Sequence, residues 1–380
     1  MTTRVLIVGM ADSIHLARWL SQFNDSDIKF TVFPSKRFKY IHPKLIQLIK
    51  TNSKIEFGNR ITRKFLGFSG YLDFLFFELI PKDFRARYLK RLVERSKFDY
   101  LHALEIQGAG YISQIALKSI EHKPKFILTN WGSDIFYFQS IPDHLERIKS
   151  ALKVADLYSA ECKRDYLLAK LHGFSGQELP CIPNAGGFDQ SEFNIPKIRT
   201  SQRTGIVVKT YGGKFGRGNL AIEAVARILP KNPNITVFFY SVTKDLEDNV
   251  SKLKISYPKR VDFSILSRPL SHEKLREIFL KSRIYIGCSI SDGISTSFLE
   301  ALVYGAYPIQ TNTSCADEWL EKGAKASLVS LELNVINAAL EMALTNNDLV
   351  DLAFSDNLKV AKEELTAQKI NEIANKFYIM

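Results

Sequence analysis

Cysteine is scarce in this chain. Four occur among 380 residues, at Cys162, Cys181, Cys288 and Cys315, and no two form a C-x-x-C pair. A disulfide scaffold and a zinc ribbon are thereby excluded, and single thiols suit a reducing, cytosolic compartment. Long apolar runs are absent too. The most apolar window, residues 74–80, is interrupted by Glu78 and falls far short of the ~20 residues that span a bilayer. Met1 to Arg4 lead directly into a strand-like run without the form of a signal peptide, so an intracellular protein with no membrane span is expected. Repeats and low-complexity tracts are missing, which excludes solenoids and collagen-like chains. Acidic residues are in deficit: 40 Asp/Glu face 52 Lys/Arg, leaving +12. That excess implies an anionic partner, whether nucleic acid, membrane phosphate or a phosphorylated substrate.

What is present has the balance of a soluble enzyme, with 46% hydrophobic and 24% charged residues in a length for one large domain or two. The run Val5-Leu-Ile-Val8, ending at Gly9, reads as a parallel strand buried on both faces. Strand-like runs follow at 29–33, 100–103, 126–129, 157–160 and 181–183, with helical periodicity at 14–23, 110–120 and 144–154. Residues 190–204 lose this pattern and suit a linker. A second series opens at 205–209 and continues with strands at 235–240, 261–264, 284–288, 307–310 and 327–330. One long closing helix carries Ile370, Ile373, Ala374 and Phe377 on one face. The pattern predicts an α/β protein with two doubly wound parallel sheets. The expected division is an N-terminal domain over 1–190 with a basic, aromatic insertion at 36–98. A linker at 191–204, a second domain at 205–355 and a helical tail at 356–380 follow. Ligands of such sheets bind beyond the carboxyl ends of the strands, so a crevice between two domains is the expected site.

Two stretches carry chemistry. After the strand ending near Cys288, a small-residue loop over 292–297 leads into a helix starting near Thr296. The free amides and positive end of that helix suit a diphosphate. Asp292 and Glu300 stand eight residues apart and flank such a ligand; the same spacing also fits an N-capping Asp and a solvated helical Glu. Upstream, the strand at 205–209 runs into Gly212, Gly213, Lys214, Gly216 and Arg217 before a helix. Glycines admit a ligand close to the backbone, and Lys214 and Arg217 neutralise phosphate charge. The glycine spacing is not that of a dinucleotide fingerprint.

The stretch from Asp292 to Glu300, continued by Gly305-Ala-Tyr-Pro308, resembles the E-x7-E region of GT-B glycosyltransferases, the retaining family 4 or group 1. Asp292 stands where that family usually has Glu. The resemblance implies that Glu300 holds the nucleotide ribose, and that Asp292, Gly293, Ile294, Ser295 and Thr296 meet the donor sugar and diphosphate. It implies a phosphate clamp of Arg217 with either Lys209 or Lys214, lined by Gly213 and Gly216. Arg268 and Leu270 occupy the loop that packs on the nucleobase in relatives. On the N-terminal side, Asp12, Ser13, His15, Glu105, Trp131, Asp134 and Asn184 fall in segments that resemble the family's acceptor side. His15 equally fits a structural histidine on a helix face, and Asn184 a turn. Relatives carry a donor-positioning His near 131; this chain has Trp131 instead, and no catalytic His is assigned there. The resemblance is specific over 205–310, weaker over 1–20 and 98–190, and absent over the basic segment.

That segment, residues 36–98, holds 16 Lys/Arg against 5 Asp/Glu, nearly the whole excess. An apolar stretch from Phe65 to Ile80 is flanked by Arg60, Arg63 and Lys64, and by Lys82, Arg85, Arg87, Lys90, Arg91 and Arg95. Residues 60–97 therefore suit an anionic membrane surface. The alternative is a domain core with a solvated basic helix, and both hold if only the helix at 82–97 meets lipid. Asp25-Ser-Asp27 reads as a polar turn, so no metal and no other cofactor is expected. The resemblance implies a GT-B enzyme moving a hexose or N-acetylhexosamine from a nucleotide sugar, UDP-linked by expectation, to a cell-surface glycan or lipid-linked acceptor. Such an enzyme would work in the cytoplasm, peripheral on the inner face of the membrane, without nucleic acid as a partner. A sugar-nucleotide 2-epimerase of the same architecture is the nearest rival. A basic nucleic-acid-binding protein is the rival from another class.

Overall fold

A computed structural model describes residues 2–24, 26–36, 40–58, 82–184 and 186–379. The chain forms two compact units, Met1–Gly186 with Gln368–Met380, and Gly187–Ala367.

In the first unit, β1 (Thr3–Gly9), β2 (Ile28–Pro34), β3 (Ile55–Phe57), β4 (Tyr100–Leu104), β5 (Lys125–Thr129), β6 (Leu157–Ser159) and β7 (Gln177–Glu178) form one sheet. The order is β3-β2-β1-β4-β5-β6-β7, with every pair parallel. The continuous apolar run in β1 has its expected cause. Val5 and Ile7 pack in one core layer with Leu16, Leu20 and Phe30, while Leu6 and Val8 pack in the other with Leu101, Ala103 and Ile112. Both faces are covered, so no polar residue alternates into the run. The strand expected at 181–183 is not formed; the edge strand is β7, two residues long and exposed.

Part of the basic segment belongs to the same layer rather than forming an insertion. Pro43–Thr51 is a helix, started by Pro at its first turn and by His42 Nδ1 accepting from the Lys44 amide at 3.2 Å. Its Leu45 and Leu48, with Ile55 and Phe57 of β3, are buried in the core. The apolar stretch from Phe65 to Ile80, with Arg60, Arg63 and Lys64, lies outside the described residues, as does Asp25.

The closing helix is interrupted. Asn347–Glu364 belongs to the second unit, while the shorter helix Ala367–Asn375 and the turn Lys376–Tyr378 supply Ile370, Ala374, Phe377 and Tyr378 to the first unit's core. The Tyr378 hydroxyl accepts from Trp19 Nε1 at 3.0 Å and lies 2.7 Å from His102 Nδ1. His102 Nε2 lies 2.6 Å from Thr129 Oγ1, which lies 2.6 Å from Ser159 Oγ. One proton ordering satisfies the whole chain when His102 is neutral: indole N–H to phenol, phenol O–H to Nδ1, Nε2–H to Thr129, Thr129 to Ser159. Burial holds the imidazole in that form, pulling its pKa down to about 3.

In the second unit the strands are β8 (Gly205–Lys209), β9 (Thr236–Val242), β10 (Val261–Ile265), β11 (Ser282–Gly287), β12 (Tyr307–Thr311) and β13 (Ser327–Val329). The sheet is parallel in the order β10-β9-β8-β11-β12-β13. Succession runs outward in one direction from β8 and in the other from β11, so the order reverses between these two strands. Residues expected as a linker are built structure. Gln190–Asn194 is a short helix whose Glu192 pairs with Arg276 at 2.9 Å, and the buried Arg203 donates to the carbonyls of Ile198 and Tyr304. No helix among the described residues is long and apolar enough to cross a membrane.

Tyr378→Phe leaves the Trp19 N–H and His102 Nδ1 without a partner in a dry core. Urea unfolding should show a loss of about 2 kcal/mol or more. The unfolded histidine titrates near 6.5 and the folded one near 3, so the unfolded chain binds the extra proton between those values. The contribution of His102 is complete above pH 6.5 and declines as pH falls toward 3, with a slope reaching about 1.4 kcal/mol per pH unit.

Candidate functional site

The carboxyl ends of β8 and β11 carry the two motifs, side by side at the point where strand order reverses. Ligands of open α/β sheets bind at this point. The glycine loop after β8 is tied to the loop after β11 by backbone bonds: Arg217 N to Cys288 O at 3.0 Å and Ile290 N to Phe215 O at 2.9 Å. Gly216 pairs with Ser289, and a side chain at 216 would collide with the Tyr211 carbonyl. Gly213 has φ +65 and opens outward, with nothing near its missing Cβ.

Helices start from both loops. Gly218–Ile228 and Thr296–Tyr304 each begin without a side-chain cap. The second starts at Thr296, as its sequence suggests, and ends at Gly305 with φ +82. Two uncapped N-termini at one sheet edge place amide donors and positive dipole ends together, which favours an anion.

Lys209, the last residue of β8, sits between the loops. Its Nζ is 3.9 Å from Asp292 Oδ2, 3.4 Å from Ser295 Oγ and 4.9 Å from the centre of the Tyr211 ring. Asp292 also accepts from the Gly293 amide at 3.0 Å. Lys214 stands exposed, with Nζ 5.6 Å above the Phe215 ring. Arg217 is half-buried, and its Nη1 donates to the Gly216 carbonyl at 2.6 Å. The structure thus groups Lys209 with Asp292, Ser295 and buried Gly293 and Ile294, while Lys214 lies farther out on the loop. Glu300 is buried one turn into the helix, 3.9 Å from His272 Nε2. Arg268 is exposed and Leu270 half-buried in the loop after β10.

The first unit has an equivalent edge between β1 and β4. Ser13 caps the helix Ile14–Ser21, its Oγ accepting from the His15 amide at 3.1 Å. His15 Nδ1 donates to the Asn184 carbonyl at 3.3 Å, and its ring lies 5.5 Å from that of Trp131. Asp12 pairs with Lys36 at 3.5 Å. His15, Trp131 and Asn184 are therefore one cluster.

Glu105 and Asp134 do other work. Glu105 adopts φ +93, a costly backbone for a residue with a side chain, and its carboxylate accepts from the Gly108 and Ala109 amides, both at 2.7 Å. Those bonds shape the π-helical turn Ile106–Gly110 that delays the helix Tyr111–Leu117. Asp134 Oδ2 accepts from Ile106 N at 2.8 Å and Trp131 N at 2.9 Å. Burial raises both carboxyl pKa values, and the charge of Glu105 pushes Asp134 higher still. These two acids organise loops; their oxygens face the protein's own amides.

Sequence reasoning missed Glu161. Its carboxylate accepts from Asn184 N at 2.8 Å and Gly132 N at 3.1 Å, joining the loops that carry Asn184 and Trp131. No motif surrounds it, and its partners lie 23 and 29 residues away, so only the fold reveals it.

Residues 78–161 match the family model described as "Glycosyl transferase 4-like". No curated protein sequence matches the chain. Among solved structures, Anabaena HepE, described in complex with UDP and glucose, superposes with a TM-score of 0.70 at 13% identity, covering 100% of both chains. Sucrose-phosphate synthase from Thermosynechococcus elongatus gives 0.70 at 12%, covering 99% of this chain and 98% of that one. The α,α-trehalose 6-phosphate synthase from Burkholderia multivorans gives 0.69 at 11%, covering 100% and 96%. The chain has the GT-B fold. The structural neighbours establish that fold, and the family match covers 78–161 within the first unit. The matched segment takes in the basic helix and the loops held by Glu105, Asp134 and Glu161.

Glu161→Ala should free the Gly132 and Asn184 amides. Their hydrogen exchange is expected to accelerate about tenfold or more, while the β1 amides keep their protection. Unchanged exchange at both amides would remove Glu161 from this role.

Proposed function

We propose that the chain is a retaining glycosyltransferase that moves a hexose or N-acetylhexosamine from a UDP-linked donor to a hydroxyl of a cell-surface glycan or lipid-linked acceptor. The observation that carries this reading is the pair of uncapped helix N-termini beside Lys209, Arg217 and Asp292 at the strand-order reversal of the second unit. The complex of HepE with UDP-glucose supports the choice of nucleotide.

In this reading the donor diphosphate lies against the amides from Gly293 to Thr296, with Arg217 and Lys209 neutralising its charge. Lys214 approaches from the loop surface. Asp292, held by Lys209, accepts from sugar hydroxyls, and Glu300 from the ribose. As the bond from the anomeric carbon to the diphosphate oxygen breaks, negative charge grows on the diphosphate, and the cations and amides stabilise it. The acceptor oxygen bonds to the same face of the anomeric carbon, and its proton passes to the departing phosphate oxygen. Arg217, Lys209 and Lys214 with two helix ends supply the electrostatic stabilisation, so the reaction is proposed to need no metal. The cluster of His15, Trp131 and Asn184 is proposed to hold the acceptor.

The membrane part of the reading rests on the helix Lys82–Arg95. Its exposed side presents Phe84 and Tyr88, 54% and 37% accessible, with Arg87, Arg91 and Arg95. Aromatic rings interleaved with guanidinium groups suit the headgroup layer of an anionic leaflet, here the inner face of the cytoplasmic membrane. Arg85, counted with this face by sequence, turns inward instead: it is buried, with Nη1 donating to the Ser35 carbonyl at 3.2 Å.

Arg217→Ala and Glu300→Ala should each lower UDP-sugar turnover by about 100-fold or more, with EDTA leaving the wild type unchanged. Wild-type turnover in both variants would refute the site. Replacing Arg87, Arg91 and Arg95 together by Ala should reduce flotation with anionic liposomes about 100-fold, at roughly 1 kcal/mol per cation. Unaltered flotation would remove the membrane surface.

A further inference from the structure

Glu300 has a neighbour that no motif contains. The helix His272–Lys281 follows the loop after β10, and its Ser271 cap accepts from the Lys274 amide at 3.3 Å. That cap fixes His272 as the first helical residue. Its Nε2 comes to 3.9 Å from Glu300 Oε1.

The two side chains differ sharply in exposure, 43% for His272 and 7% for Glu300. Glu300 lies near the phenols of Tyr240 and Tyr304, both buried. A carboxylate in such weakly solvated surroundings takes its orientation from the donors at its rim. The imidazole stands at that rim, where the carboxylate meets solvent. Two other cations of the same helix pair elsewhere: Arg276 with Glu192 at 2.9 Å and Lys274 with Glu277 at 3.8 Å. A contact of 3.9 Å is longer than a hydrogen bond, and such contacts tighten when a ligand closes the site.

We infer that His272 is the positioning residue of Glu300: its Nε2–H engages one carboxylate oxygen, so that the other faces the vicinal hydroxyls of the donor ribose. The inference rests on the nucleotide-sugar reading above and adds to it a residue and a selectivity. With Glu300 held by His272, the site distinguishes a ribose from a 2′-deoxyribose; without His272, that distinction weakens.

The test is calorimetric titration of the full chain with UDP and with 2′-deoxy-UDP, beside donor kinetics, for the wild type, His272→Ala and His272→Gln. The expected result for His272→Ala is UDP binding weakened about tenfold, KM for the donor raised to match and kcat little changed. Its preference for UDP over 2′-deoxy-UDP should largely disappear. His272→Gln keeps an N–H at a similar reach and should recover most of both. The inference is overturned if His272→Ala binds both nucleotides as the wild type does. It is also overturned if both variants weaken equally while the ribose preference survives, because a merely structural role gives that result. If the wild type binds neither nucleotide, the nucleotide-sugar reading fails and the inference falls with it; a wild type that binds UDP isolates the question of His272.

Discussion

Parallel strands feeding helices leave backbone amides unpaired at the carboxyl edge of a sheet, and those amides require acceptors. The two units meet that requirement differently. In the first, carboxylates of the chain itself do so: Glu105 for Gly108 and Ala109, Asp134 for Ile106 and Trp131, Glu161 for Gly132 and Asn184. In the second, the helices at Gly218 and Thr296 begin with no side chain capping them. There Asp292 and Asp245 hold the Gly293 and Gly213 amides, and the two helix ends themselves are left to favour an anion. The strained backbone of Glu105 belongs to this arrangement, while burial raises the Glu105 and Asp134 pKa values against the lowering effect of the amide bonds they accept.

Much of the architecture was legible because fully buried parallel strands leave continuous apolar runs. β1, β4, β5, β8 and β11 announce themselves in that way, and the helix at Thr296 follows from the small residues before it. Elements at the margins were harder. The expected strand at 181–183 and the true edge at Gln177–Glu178 differ because an exposed two-residue strand has no hydrophobic pattern to read. The helix Pro43–Thr51 was masked by lysines on its outer face, although Leu45 and Leu48 carry its inner one. The second unit's claim on residues 187–204 comes from polar contacts such as Glu192 with Arg276, which composition does not display.

The candidate site was read unevenly for the same reason. Asp292, Glu300 and Arg217 lie in local motifs whose spacing survives in sequence. Lys209 and Lys214 were both available to the clamp, and only the geometry shows that Lys209 meets Asp292 and Ser295. Glu161, His272 and Tyr378 act through partners far along the chain, Tyr378 on His102 across 276 residues. Charge divides likewise: among the described residues Arg87, Arg91 and Arg95 of the basic segment lie exposed on one helix, whereas Lys209 and Arg217 are placed at the candidate site by the end of β8 and the loop after it.

The return of the chain to the first unit has a temporal consequence. The second unit, Gly187–Ala367, is closed near its ends by backbone bonds from Phe188 N to Leu365 O and from Ala367 N to Phe188 O, each at 2.8 Å. Everything between is synthesised before Ile370, Phe377 and Tyr378 exist, yet these side chains occupy the core around Trp19 and His102. On the ribosome, then, the first unit to be translated is the last to be completed: it waits, with part of its interior open, for a segment made after its neighbour.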